Sequence, residues 1–272
     1  MIDARETKTG RIVTDEAVTV EELPRIQTTG MESPPPLKQQ EKKKRHGARN
    51  QHRHKIFVKW LLDTFRLNVP ATSNSSPTTT TKGPHVLDVA GGKGEVSARL
   101  CMCHCQQVIM VDPRPANIVQ CFETLVLPKI PNKWQRRLEE QRSNNPTFVH
   151  DTIQQRFQQF VMTFDDQSIR ESIDLQEAIQ NASVLVGLHA DGATEAIVDA
   201  ALKYQKPFVV VPCCVFPNLF HDRKVYDDEA KRMVSVRSHE QFCRYLLAKD
   251  PRFQIETLPF EGRNVAIWWD GH

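Results

Sequence analysis

The sequence predicts a doubly wound α/β domain, with helices on both faces of a mostly parallel sheet and a disordered tail in front of it. Three observations carry this reading. Short β-branched runs alternate with longer amphipathic stretches, the first run leads into a glycine-rich turn, and the last two runs flank a connection that holds a glycine.

A chain of 272 residues with 39% apolar side chains can bury one sizeable core but is short for two full domains. Eighteen apolar residues never run together, and the opening MIDARETKTGRIVTDE is charged where a secretory signal is apolar. These features lead one to expect an intracellular protein, cytoplasmic or nuclear, with no membrane contact. Seven cysteines, an odd number without framework spacing, are expected as free thiols. A net charge of +3 does not by itself imply nucleic-acid binding. One basic cluster runs from Lys42 to Lys55, and it reads equally well as a solvated tail entering a helix or as a phosphate-contacting arm or nuclear-import signal.

Residues 1–45 lack apolar periodicity and contain Pro34, Pro35 and Pro36, so they are expected to be disordered. The folded domain is placed at 46–272. It opens with a basic helix from Arg49, in which Ile56, Phe57, Trp60, Leu61 and Phe65 recur at helical spacing. The Thr/Ser-rich stretch 71–84 reads as a flexible loop. Strand one is His85 to Val89, followed by a helix from Glu95 to Cys105, and strand two is Gln107 to Val111, ended by Asp112-Pro113. Between Ala116 and Gln180 the pattern predicts helical pieces, with a third strand near Thr147–Val149 or Phe160–Phe164. Ser183–Leu188 is strand four, Thr194–Tyr204 a helix and Phe208–Val211 strand five. An excursion from Pro217 to Arg237 precedes a helix opened by Ser238 and Glu240, and Phe253–Leu258 with Asn264–Trp269 form a hairpin.

The stretch HVLDVAGGKGEVSARL carries the chemistry. Gly91, Gly92 and Gly94 permit positive φ and remove side chains, so backbone amides and a helix start can approach a small molecule. Asp88, just before the turn, can hold the ammonium of an amino-acid ligand. Asp112, at the end of the neighbouring strand, can accept hydrogen bonds from both hydroxyls of a ribose. A nicotinamide site would carry G-x-G-x-x-G for a pyrophosphate, which a carboxylate at Asp88 would repel. The cationic methionine end of S-adenosylmethionine suits that carboxylate.

DVAGGKG resembles motif I of class I S-adenosylmethionine-dependent methyltransferases, and VDP resembles the acidic end of their second strand. The resemblance spans His85 to Trp269 in strand order. It implies a Rossmann-like sheet of seven strands with an antiparallel last strand, and S-adenosyl-L-methionine bound by Asp88, Ala90, Gly91, Gly92, Gly94, Asp112, Pro113, Leu188 and His189.

Ligands of such sheets lie at the switch point, here between strands one and four. Strand four runs into LHADGATE, where His189 can act as general base and Asp191 either faces the methyl donor or caps the next helix. Strand five runs into PCC, where Cys213 is either a nucleophile, as in cytosine C5 methylation, or a small buried residue. LH, DGATE and PCC together resemble a methyltransferase-like subgroup that includes a transfer-RNA ribose methyltransferase and a domain attached to a glutathione-transferase-like module. The subgroup reads LH-x-C-G. This chain has Asp191 at the cysteine position, so the resemblance does not extend to a role borne by that thiol, a metal included.

CMCHC, from Cys101 to Cys105, offers thiols and an imidazole but lies in the helix after motif I, with Cys101 and Cys105 expected on one face and Cys103 on another. No metal is assigned. His52 and His54 lie on the basic helix, where they reach the cofactor or simply form its wet face.

The sequence thus predicts methyl transfer to an oxygen or nitrogen nucleophile. RNA, transfer RNA above all, is an acceptor alongside a protein or small molecule. The alternatives are an inactive methyltransferase-fold binding protein and, less favoured, a nicotinamide-dependent oxidoreductase.

Overall fold

A computed structural model describes residues 52–67, 84–228 and 230–272. The expected tail 1–45, most of the basic cluster and nearly all of the Thr/Ser-rich stretch lie outside the described residues. Among the described residues no helix is long and apolar enough to cross a membrane.

The first helix, α1, is Arg53–Thr64. Strand β1 (His85–Val89) leads into α2 (Glu95–His104), and β2 (Val108–Val111) follows. After β2 come α3 (Ile118–Cys121), a π-helical turn and a 3₁₀ turn, α4 (Asn132–Asn144) and α5 (Phe148–Arg156). Strand β3 (Phe157–Phe160), α6 (Asp166–Glu171) and α7 (Ile173–Asn181) precede β4 (Ala182–Leu188). The second half holds α8 (Thr194–Tyr204), β5 (Phe208–Val211), the pair β6 (Lys224–Asp227) and β7 (Arg232–Ser235), α9 (His239–Leu247), β8 (Gln254–Thr257) and β9 (Val265–Trp269).

Seven strands join in the order β3-β2-β1-β4-β5-β9-β8, parallel throughout except that β9 runs antiparallel to both of its neighbours. The order reverses between β1 and β4, as expected. The excursion forms a separate hairpin, β6 with β7.

Side-chain alternation splits the core. Val86, Val108, Val184, Val186, Val209 and Val211 face α1 and α2, whereas Leu87, Ile109, Leu185, Phe208 and Val210 face α7, α8 and α9. Burial on both faces explains why β2 and β5 read as unbroken apolar runs. Helix α1 is anchored to the C-terminal hairpin: Trp60 meets Trp268 edge to face at 5.8 Å and donates its indole N–H to Glu256 at 2.9 Å.

The third strand departs from both sequence placements. Thr147–Val149 belongs to the start of α5, and Phe160–Phe164 begins where β3 ends. FQQF is an edge strand, so it lacks a second neighbour and tolerates glutamines. Gln159 uses its amide to clamp the turn after β2, donating to Arg114 O at 2.8 Å and accepting from the Ala116 N–H at 3.0 Å. Helix α9 opens on a capping box in which Gln241, rather than Glu240, reciprocates Ser238.

A candidate cofactor site at the β1–β2–β4 edge

The parallel register brings Val89 level with Val111, so Asp88 and Asp112 emerge at one edge of the sheet. The Ala90 N–H donates to Val111 O at 2.7 Å, carrying the ladder one step into the loop. Ala90, Gly92 and Gly94 then take φ of 54°, 60° and 79°, and Gly94 becomes the N-cap of α2.

The glycines divide by role. A Cβ on Gly91 would lie 2.6 Å from Met110 Sδ and 2.9 Å from Asp88 Oδ2, and one on Gly94 would lie 2.2 Å from Ile118 Cδ1. These two are bare because the protein's own side chains fill the space. Gly92 differs, with nothing nearer than Arg114 Nη2 at 3.9 Å. It is the bare position that leaves room for a ligand.

Asp112, 1% exposed, accepts the Gly92 N–H on Oδ2 at 2.9 Å and the Arg114 N–H on Oδ1 at 2.9 Å. Burial opposes its ionisation, but hydrogen bonds from the Arg114 side chain, its backbone and Gly92 outweigh this and hold the carboxyl below its usual range. Asp88 is in the opposite condition. It is also 1% exposed, and burial pushes it up to about 6 against the hydrogen bond from Ser97, with the Asp112 charge adding to the rise. Ser97 Oγ donates to Asp88 Oδ2 at 2.6 Å. Asp88 is thus closed off against Ser97, and the expected contact between its carboxyl and a ligand ammonium is not open in this structure.

At β4, Leu188 pairs with Val211, and the His189 N–H donates to Val211 O at 3.1 Å. His189 has φ of 58° and Asp191 48°, left-handed values that turn the chain sharply off the strand. His189 Nε2 is buried and has no hydrogen-bond partner among the described residues. Burial, then the charges of Arg53 and His54, push His189 down to about 4. It is neutral at physiological pH, yet too weakly basic for the full general-base role expected of it.

Asp191 does not cap α8. A 3₁₀ turn, Asp191–Ala193, intervenes, Ala193 occupies the cap without a side-chain bond, and Thr194 Oγ1 is buried without a partner among the described residues. Asp191 instead accepts from Cys213 Sγ at 2.9 Å. Burial and the Asp191 carboxylate push the Cys213 thiol up to about 12, so it stays protonated and is a poor nucleophile. Pro113 is exposed at the rim.

Sequence reasoning missed two clusters. His54 Nδ1 lies 3.0 Å from Glu95 Oε2, while Glu95 Oε1 meets Arg99 Nη2 at 2.9 Å and Lys129 Nζ at 3.3 Å, a buried network at the start of α2. His54 thus braces the motif from α1. In the second cluster Glu195 meets Arg223 Nε at 2.6 Å, Lys249 Nζ at 2.8 Å and the Tyr245 hydroxyl, tying the excursion to α8 and α9. Spacing hid both, since their members come from distant segments. CMCHC disperses differently from expectation: Cys101 is buried, whereas Cys105 falls beyond the helix as an exposed left-handed residue.

Two concavities open beside this edge, one lined by Asp165, Gly192, Glu195 and Phe220, the other by Asn117, His150 and Phe157. Neither is lined by Asp88 or Asp112.

The strand order and the single antiparallel strand define a class I methyltransferase fold. No protein-family model matches the chain, and no curated protein matches its sequence. Solved structures match at low identity. The methyltransferase domain of bacterial CtHen1 is 12% identical over 80% of this chain and 98% of its own, with a TM-score of 0.39. Magnesium protoporphyrin IX methyltransferase (ChlM) from Synechocystis PCC 6803, with bound SAH, is 11% identical over 80% of each chain, with a TM-score of 0.36. Burkholderia thailandensis 1,6-didemethyltoxoflavin-N1-methyltransferase, with bound 1,6-didemethyltoxoflavin and S-adenosylhomocysteine, is 9% identical over 80% of this chain and 86% of its own, with a TM-score of 0.29. The fold assignment rests on the chain's own strand order.

Proposed function

We propose that the chain binds S-adenosyl-L-methionine at the edge formed by β1, β2 and β4 and transfers its methyl group to an oxygen or nitrogen nucleophile. The observation that carries this reading is Asp112, an ionised carboxylate at the end of β2 bonded to the amide of the one loop glycine with open space above it. The Arg114 side chain that also contacts Asp112 is 76% exposed, so it can swing away and leave oxygen lone pairs for two ribose hydroxyls. His189 Nε2, buried and unpaired among the described residues, supplies a further polar contact at the same edge.

The cofactor supplies an activated methyl group. Ala90, Gly92 and Asp112 hold its nucleoside, the turn beside Asp88 receives its amino-acid end, and His189 orients the acceptor through a hydrogen bond. Proximity and exclusion of water carry the displacement, so no strong base is needed. RNA is the acceptor class favoured here, on the strength of the basic run from Lys42 to Lys55, in which Arg53 and His54 act electrostatically on His189.

A second reading, a methyltransferase-fold protein that binds a partner without turnover, is favoured by the closure of Asp88 against Ser97. Calorimetric titration with S-adenosylmethionine and S-adenosylhomocysteine, followed by incubation with labelled cofactor and fractionated RNA, protein and metabolites, separates the two. Label in the RNA fraction supports the first reading. Absence of heat with both ligands overturns it.

A further inference from the structure

The carboxyl ends of β4 and β5 carry a donor set that the cofactor reading does not use. Leu188 and Val211 are paired, so the residues just beyond them, Asp191 on one strand and Cys213 and Cys214 on the other, arrive at the same point of the edge. One carboxylate oxygen of Asp191 and the two Sγ atoms all lie within 4.8 Å of one another. We propose that Asp191, Cys213 and Cys214 bind a thiophilic divalent cation of the zinc class.

A zinc ion at ~2.3 Å from sulfur and ~2.0–2.2 Å from oxygen sets tetrahedral donors roughly 3.5–3.8 Å apart, so side-chain rotation on the order of 1 Å closes the set. Two thiolates select zinc or a similar soft ion over magnesium and calcium, which prefer oxygen. Binding breaks two S–H bonds and forms two sulfur–metal bonds, the protons passing to the buffer. Asp191 and Cys214 are exposed, so the ion has an entry path from solvent.

The supporting structure is already in place. His239 Nε2 lies 2.9 Å from the Pro212 carbonyl and holds the turn that presents Cys213, while Asp191, left-handed in backbone, accepts from the Cys213 thiol at 2.9 Å. Three protein donors leave a fourth position for water or for the heteroatom of an incoming molecule, the arrangement of zinc sites that take part in chemistry rather than only bracing a fold. The CMCHC run is not this site: its cysteines are spread from the core to the surface of α2. The proposal stands independently of cofactor binding.

Titration of the reduced, full-length protein with Co²⁺ in the absence of S-adenosylmethionine tests it. The expected result is saturation at one ion per chain, with a thiolate-to-cobalt charge-transfer band in the near ultraviolet that Zn²⁺ abolishes by displacement. Cys213→Ser and Cys214→Ser each diminish that band by the share of one thiolate, and each weakens Zn²⁺ binding at least about a hundredfold, since loss of an outer-shell partner alone typically costs roughly 10–100-fold. Asp191→Asn shifts the visible bands. Cys103→Ser with Cys105→Ser leaves every signal unchanged. Cys214 is exposed, so its serine variant retains the fold by circular dichroism and isolates the ligand effect. No charge-transfer band in the wild type, or a band undiminished in Cys214→Ser, overturns the assignment.

Discussion

Ser97 Oγ donates a 2.6 Å hydrogen bond to Asp88 Oδ2 across the turn between β1 and α2, sealing a carboxyl that burial has pushed up to about 6. A raised folded value means that the folded chain takes up this proton more readily than the unfolded one. Asp88 therefore favours folding fully below its unfolded value, and that contribution is lost as pH rises from the ordinary carboxyl value of 3.8 through about 6. At neutral pH the ionised group costs about 3 kcal/mol, from roughly two pKa units at ~1.4 kcal/mol each. Asp88→Asn is expected to raise the melting temperature by several degrees near pH 8, with little change near pH 4. The same variant weakens S-adenosylmethionine binding by about tenfold or more, through loss of a charged hydrogen bond. Calorimetric scans at the two pH values and a binding titration check both halves, and equal destabilisation at both pH values would count against the burial argument.

The division among the loop glycines gives a second expectation. Gly91→Ala and Gly94→Ala force Met110, Asp88 or Ile118 to shift and should each lower stability by roughly 1–3 kcal/mol. Gly92→Ala meets open space and carries only the left-handed backbone penalty, on the order of 1 kcal/mol, yet its methyl group stands where the ligand enters. Denaturant unfolding and cofactor titration of the three variants should therefore rank them in opposite orders. If Gly92→Ala binds cofactor as wild type does, the ligand is not above Gly92.

Glu95 makes the third case. Burial would raise its carboxyl, but His54 first and then Arg99 draw it down to about 2. A depressed folded value contributes stability that is present above the ordinary glutamate value of 4.5 and lost as pH falls through about 2. The Arg99 and Glu95 side chains are 4% and 8% exposed, so Glu95→Gln leaves a buried cation short of its partner and should cost about 3 kcal/mol near neutral pH. The variant should also lose the steep part of the acid-unfolding curve below about pH 4. An unchanged acid limb in urea unfolding would show that His54 and Arg99 do not support this carboxylate.

How far the sequence carried the fold depends on how locally each feature is encoded. Strands β1, β4 and β5 are buried on both faces, and their apolar runs are visible in any window of five residues. α8 matches its expected span, Thr194–Tyr204, because its period is uninterrupted. β3 departs from the expected positions because an edge strand needs little apolar surface, and FQQF uses a glutamine to clamp the turn after Asp112. The paired acids are legible for the same local reason, Asp112 directly after the apolar run of β2 and Asp88 within that of β1, just ahead of the glycine turn. Whether Asp88 faces solvent was not, because Ser97 comes from the next helix and closes over it only in three dimensions. Asp191 and Cys213 are 22 positions apart, and only the pairing of Leu188 with Val211 brings them together.

His189 offers the sharpest separation of positioning from proton transfer. Its folded value of about 4, set by burial and then by Arg53 and His54, keeps the ring neutral from about pH 6 upward. Because the value is depressed in the folded state, the histidine costs no stability above the ordinary imidazole value of 6.5 and becomes a liability as pH falls towards about 4. A neutral ring with an unpaired, buried Nε2 can hold an acceptor by one hydrogen bond, and removing it in His189→Ala should lower kcat about tenfold. A true general base would instead cost roughly 10²–10⁴-fold and impose a titration on the rate. The rate of the wild type should accordingly show no inflection from His189 between about pH 6 and 9, and its ring resonances should titrate with a midpoint near 4. A midpoint above about 6, coupled to a matching inflection in kcat/KM, would restore the proton to this histidine and remove the positioning role argued for it.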